Sequence, residues 1–218
     1  MSQLKLLRFL IIAIIIFCNN ACVTASTTKI GANWSKEAYS LEYESGKRWK
    51  EISSPDGEKT AIIDGVNLYL KADGRMLPGL ETVGASTLAE IGWSPNSNAF
   101  FLTESLGGAV GEWRVTVYLI EDGKVRVVDV SEEIMKEFEK HYECKEQEVP
   151  NIGAIKWIDE FETLLLVAEV PPHSSCTEMG KIRGYLVAVP SVQILKEFDE
   201  PTLRKKWGEF LGERFDRK

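Results

Sequence analysis

Ile91-Gly92-Trp93-Ser94-Pro95-Asn96-Ser97-Asn98-Ala99-Phe100-Phe101-Leu102 is the stretch on which the fold turns. A short apolar segment ends in Trp-Ser, a Pro-Asn-Ser sequence comes next, and a continuous apolar run succeeds it. Proline fixes φ, and Asn and Ser bond their own backbone, so the pattern reads as a tight turn between two strands. The same pattern stands 40 positions earlier in Ile52-Ser53-Ser54-Pro55-Asp56-Gly57-Glu58-Lys59-Thr60-Ala61-Ile62-Ile63. A more degenerate copy is Ile155-Lys156-Trp157-Ile158-Asp159-Glu160-Phe161-Glu162-Thr163-Leu164-Leu165-Leu166.

The segments C-terminal to the three copies match as well. Val66-Asn67-Leu68-Tyr69-Leu70 leads to Ala72-Asp73-Gly74 and then Arg75-Met76-Leu77, and Val115 to Ile120 leads to Glu121-Asp122-Gly123 and then Lys124 to Val128. Gly184 to Val189 leads to Pro190-Ser191 and then Val192 to Leu195. Each unit therefore predicts a four-stranded antiparallel meander, at about 47–80, 88–130 and 152–198, with a helical, acidic insert at 131–150. Trp93-Ser94-Pro95-Asn96-Ser97, Ser54-Pro55-Asp56-Gly57 and the Tyr-Leu…Asp-Gly endings resemble blades of the TolB/prolyl-oligopeptidase type of β-propeller. The resemblance implies fold and no activity. Closed propellers have about four to eight blades, and this chain supplies about three. The expectation is a mainly β chain, a partial or atypical β-propeller, completed by residues 28–46 or by a partner.

Two short helices are expected. Ser131-Glu132-Glu133 gives a cap and an acidic first turn to a helix over about 131–142, with Ile134, Met135, Phe138 and Tyr142 on one face. Asp199-Glu200-Pro201 opens a second over about 200–214, whose Leu203, Trp207, Phe210 and Leu211 form a stripe suited to packing on the protein's own sheet.

The N-terminus reads as an address. Lys5 and Arg8 precede the apolar run Phe9 to Phe17, well short of the ~20 residues a membrane-crossing helix needs. Val23-Thr24-Ala25 places small side chains at −3 and −1 for cleavage before Ser26, so residues 1–25 are expected to be a signal peptide and 26–218 a single domain, periplasmic or secreted. The rival is a lipoprotein anchor at Cys22, where Asn19 stands in place of the usual Leu-like residue. No span is expected in the mature chain, which keeps 24 basic against 33 acidic residues. That balance excludes a general nucleic-acid backbone binder.

Cleavage also removes Cys18 and Cys22, leaving Cys144 and Cys176, which an oxidising compartment pairs as a disulfide. The minor alternative is a metal site. His141-x-x-Cys144 and His173-x-x-Cys176 use every histidine of the chain and supply a His2Cys2 set of the kind zinc takes. Leu106-Gly107-Gly108-Ala109-Val110-Gly111 lacks the subsequent helix of a phosphate loop and reads as a hairpin loop, a candidate recognition loop with Trp113 and Arg114 at its edge. Trp49, Trp93 and Trp157 are read as recurring at the end of each unit's first strand and packing in or near the core. Glu132, Glu133, Glu137, Glu143, Glu146 and Glu148 fit no calcium-loop template. No Gly-x-Ser-x-Gly elbow or other nucleophile arrangement is present, and no cofactor is implied. The expectation is an exported, non-catalytic module that binds another protein, of inhibitor or immunity type; the alternative is a small metal protein or enzyme built on the four His and Cys residues.

Overall fold

The computed structural model describes residues 33–41, 49–64, 67–77, 88–107, 111–144, 148–158 and 163–216. The signal-like segment lies outside them. Three antiparallel sheets succeed one another along the chain. The first orders β2 (Trp49–Ser53), β3 (Lys59–Asp64), β4 (Asn67–Ala72) and β5 (Arg75–Met76). The second orders β1 (Tyr39–Ser40), β6 (Ala89–Trp93), β7 (Ala99–Ser105), β8 (Trp113–Glu121) and β9 (Lys124–Asp129). The third orders β10 (Asn151–Trp157), β11 (Thr163–Glu169), β12 (Ile182–Ala188) and β13 (Gln193–Phe198). The described strands close no barrel.

The sheets stack face to face. Ile52, Ala61, Ile63, Leu68 and Leu70 of the first pack on Ile91, Phe100, Leu102 and Tyr118 of the second. Phe101, Val115 and Val117 on the second sheet's other face meet Ala154, Leu164, Leu166 and Tyr185 of the third. A strand buried on both faces reads as a continuous apolar run, which is why β7 and β11 lack polar alternation.

The first two turns are chemically the same structure. Ser54 Oγ donates its proton to Asp56 Oδ1, lies 3.1 Å from Lys59 O, and accepts from Lys59 N–H. Ser94 Oγ is placed likewise toward Asn96 Oδ1, Ala99 O and Ala99 N–H. The Ser54 hydroxyl, aided by Glu58 N–H and Lys59, holds the Asp56 carboxyl at about 2, below its usual range. In the third unit Ile158 replaces the serine. It keeps the backbone bond to Thr163 O and has no hydroxyl to build the rest. Asp73-Gly74 and Asp122-Gly123 take positive φ at both central positions, as two-residue hairpins require.

The units are also tied to each other in a repeating way. The Trp93 indole N–H donates to Ile52 O at 3.1 Å, and the Trp157 indole N–H donates to Gly92 O at 3.0 Å. Ile52 and Gly92 are equivalent positions, each two residues before the turn serine. The register corrects the reading of Trp49: it opens β2 opposite Asp64, and Ser53 occupies the place of Trp93 and Trp157. The first unit thus carries a serine, and no indole, at the position from which Trp93 and Trp157 reach the preceding sheet.

Residues 33–41 run along the inner strands. Tyr39 and Ser40 pair with Ile91 and Glu90 of β6, and Lys50 of β2 donates to Ser40 O at 3.0 Å. The buried Glu90 carboxylate accepts from Trp34 N–H at 2.8 Å and Ser35 N–H at 3.1 Å, while Ser35 Oγ donates to Ile155 O of β10. Trp34 lies so close to Gly153 that a Cβ there would sit 2.0 Å from its ring.

Both helices form, with corrections. α1 spans Ser131–Phe138 and continues as a 3-10 turn through His141. Its first backbone N–H is held by Asp129 Oδ1, whereas Ser131 Oγ, expected as the cap, exchanges hydrogen bonds with the Val115 backbone. α2 spans Glu200–Trp207, capped by Asp199, and gives way to 3-10 turns at Gly208–Phe210 and Glu213–Phe215. Glycine weakens a helix interior by about 1 kcal/mol, and Gly208 and Gly212 fall inside the expected range. Leu203, Leu211 and Phe215 pack on the outer face of the third sheet against Ile155, Leu165 and Val167. Gly184 admits this approach, since a Cβ there would meet Leu203 Cδ1 at 2.6 Å.

Candidate functional site

The rim around the insert collects the titratable and sulfur chemistry. Cys144 and Cys176 form a disulfide, with Cα atoms 5.8 Å apart across 32 positions. The bridge ties the end of the insert to the loop after Pro171-Pro172. Glu143 N–H donates to Glu178 Oε2 at 2.6 Å, and Lys181 Nζ joins Glu178 Oε1 to His141 O, each at 2.7 Å. Tyr142, beside them in the core, donates to Glu148 O, and burial pushes its hydroxyl up to about 12.

The four residues of the metal alternative do not assemble. Both sulfurs are bonded to each other, which leaves no thiolate, and His173 is exposed. His141 turns instead to β13, its Nε2 3.2 Å from Glu197 Oε2, a carboxylate oxygen shared with Arg183 at 3.2 Å. Glu137, one helical turn before His141, faces the same place. Sequence spacing signalled the His-x-x-Cys pairs and missed Glu197 and Arg183, which the strand register alone brings to the rim.

The glycine loop is placed in part. Gly107 and Gly111 come so close that a Cβ on Gly111 would lie 2.4 Å from Gly107 Cα, which explains glycine at the neck. Gly108 lies outside the described residues. Trp113 is no edge residue: it is 1% exposed, packed edge-on against Trp34 at 5.8 Å and 5.5 Å from the Arg214 guanidinium. Arg114 is paired with Glu112. Burial thus takes Trp113 out of any recognition surface, while Arg114 stays about a third exposed beside Glu112.

At the seam between the second and third sheets a cavity of about 80 Å³ is lined by Trp93, Pro95, Phe101 and Trp157, with the Lys156–Glu37 ion pair at its margin. Drug-sized ligands occupy about 300 Å³ or more, so this space suits a few waters or one side chain. On the outer face of the first sheet Ile62, Tyr69, Lys71 and Met76 align by register; Ile62 is buried, whereas Tyr69 is 38% and Met76 51% exposed, and none joins the three buried clusters of described residues. Among the described residues no helix is long and apolar enough to cross a membrane. No family model matches the chain, and neither curated proteins nor solved structures yield a match.

Proposed function

We propose that the chain is an exported, non-catalytic protein-binding module, of inhibitor or immunity type, built from three blade-like units of a truncated propeller. The forty-position spacing, the paired turn networks and the repeated indole-to-carbonyl bonds support the blade reading. The disulfide suggests an oxidising compartment, and the Lys5-Arg8 segment with its apolar run supports export to the periplasm or beyond, as a soluble protein or a Cys22 lipoprotein. The observation that carries the binding reading is the first sheet's outer face. It presents an aromatic and a methionine to solvent, residue types favoured at protein interfaces, and it carries Ser53 where the other units carry a stapling tryptophan. A partner protein, and no same-type unit, is what this face accepts.

The test is capture from envelope extracts with the natively exported protein as bait, beside a Tyr69→Arg/Met76→Arg bait. The expected result is a partner enriched by the first bait and lost with the second, while thermal stability is unchanged. No enrichment above background across several growth conditions, or equal capture by both baits, overturns the reading.

A further inference from the structure

The rim cluster below the disulfide holds a ligand set that the pairing of the cysteines does not use. Glu137 and His141 stand four positions apart across the end of α1, so they share a face. Glu197 comes from β13, and one donor atom from each of the three lies within 4.8 Å of the others. The His141 Nε2 atom is buried, lies 3.2 Å from Glu197 Oε2 and makes no hydrogen bond. A second group points the same way. Tyr185 is fully buried and stands in register with Glu197 on the face that α1 covers, and its hydroxyl makes no hydrogen bond. Burial raises this hydroxyl, Glu197 and Glu137 raise it further, and Arg183 beside it, close enough to act as a polar partner, lowers it.

We propose that Glu137, His141 and Glu197 form a Zn²⁺ site. One imidazole and two carboxylates suit zinc, whereas calcium and magnesium favour oxygen ligands alone. Arg183 on Glu197 Oε2 is the outer partner that ligating carboxylates commonly keep. The competing cation is Lys140, exposed and paired with Glu137 at 2.6 Å, which the metal must displace. A metal here clamps the end of the insert to the outermost strand of the third sheet. The proposal is independent of the binding face, which lies on the first sheet.

The experiment titrates Zn²⁺ alone into disulfide-intact, chelator-stripped protein, with binding measured calorimetrically and the two histidine imidazoles observed by NMR. One Zn²⁺ per chain is expected, with the His141 resonances shifting and those of His173 unmoved. His141→Ala and Glu197→Gln should each weaken binding by about tenfold or more. Lys140→Ala should tighten it, His173→Ala should leave it unchanged, and Zn²⁺ should raise the melting temperature of the parent and not of His141→Ala. Absence of binding at millimolar Zn²⁺, a site that survives His141→Ala, or a site lost with His173→Ala overturns the proposal. The imidazole shifts need no variant, so a variant that fails to fold does not blunt the test.

Discussion

The two ends of the stack are finished differently. At the third sheet the chain folds back on itself: α2 and the tail cover the outer face, the tail zips to residues 33–36, and Arg214 closes on Glu169 at 2.5 Å with both side chains almost wholly buried. The Arg214 guanidinium also lies 4.7 Å from the Trp34 ring. At the first sheet no described helix or strand does the equivalent, and Tyr69 and Met76 remain exposed. The difference teaches that a stack of repeated units needs an end as well as a middle. The covered end is closed by the chain's own helix and tail; the other, in the proposed reading, is where a partner docks.

The largest expected effect breaks the covered end. Arg214→Ala removes the guanidinium that buried Glu169 faces, and loss of one partner of a buried ion pair costs about 3–5 kcal/mol. Tyr69→Ala at the open end should cost less than about 1 kcal/mol. Denaturant melts of the two variants check the contrast, and equal losses would erase it. Next comes the disulfide. Closing a loop of 32 positions stabilises by about 3–4 kcal/mol in the chain-entropy model, before any native strain. Cys144→Ser and Cys176→Ser should each lower the melting temperature, and the double variant should be no worse than either. Intact-mass measurement after alkylation without reductant should find neither thiol modified in exported protein.

A smaller effect sharpens the middle. Trp157→Phe and Trp93→Phe each strip a carbonyl of its indole donor, at about 1–2 kcal/mol, and Trp157 should cost more because it is the more deeply buried. Ser53→Trp, which restores the indole position in the first unit, should gain nothing, since no sheet among the described residues precedes the first to offer a carbonyl. The smallest effect is alkaline. Burial raises the hydroxyls of Tyr118 and Tyr185 and takes Tyr142 to about 12, whereas the unfolded chain loses tyrosine protons near 10. Between those values the unfolded state binds fewer protons, so stability falls as pH rises from 10 toward 12. Tyrosinate absorbance and unfolding recorded together on a pH series should show these three side chains ionising with the unfolding transition.

The sheets and the two helices were legible because they depend on local chemistry. Pro-Asn-Ser, Pro-Asp-Gly and the two Asp-Gly pairs mark turns through φ and side-chain bonding, whatever packs on them. The site was less legible. Glu197 reaches His141, and Trp113 is buried against Trp34 and Arg214, through strand register and tail docking that leave no period in the chain. Trp49 misled for the opposite reason. It sits near the right place in sequence and out of register by the four positions that separate it from Ser53. Glu90, Glu169 and Arg214 were invisible as structural residues because a charged side chain gives no sign of which distant backbone or partner will receive it.

Native-state hydrogen exchange, resolved by strand, tests the difference between the two ends most directly. Amides of β10, β11 and β12 are expected to exchange only by near-global opening, while those of β2 and β4 open at a clearly lower free energy. Uniform protection across the three sheets, or a first sheet more protected than the third, would contradict it.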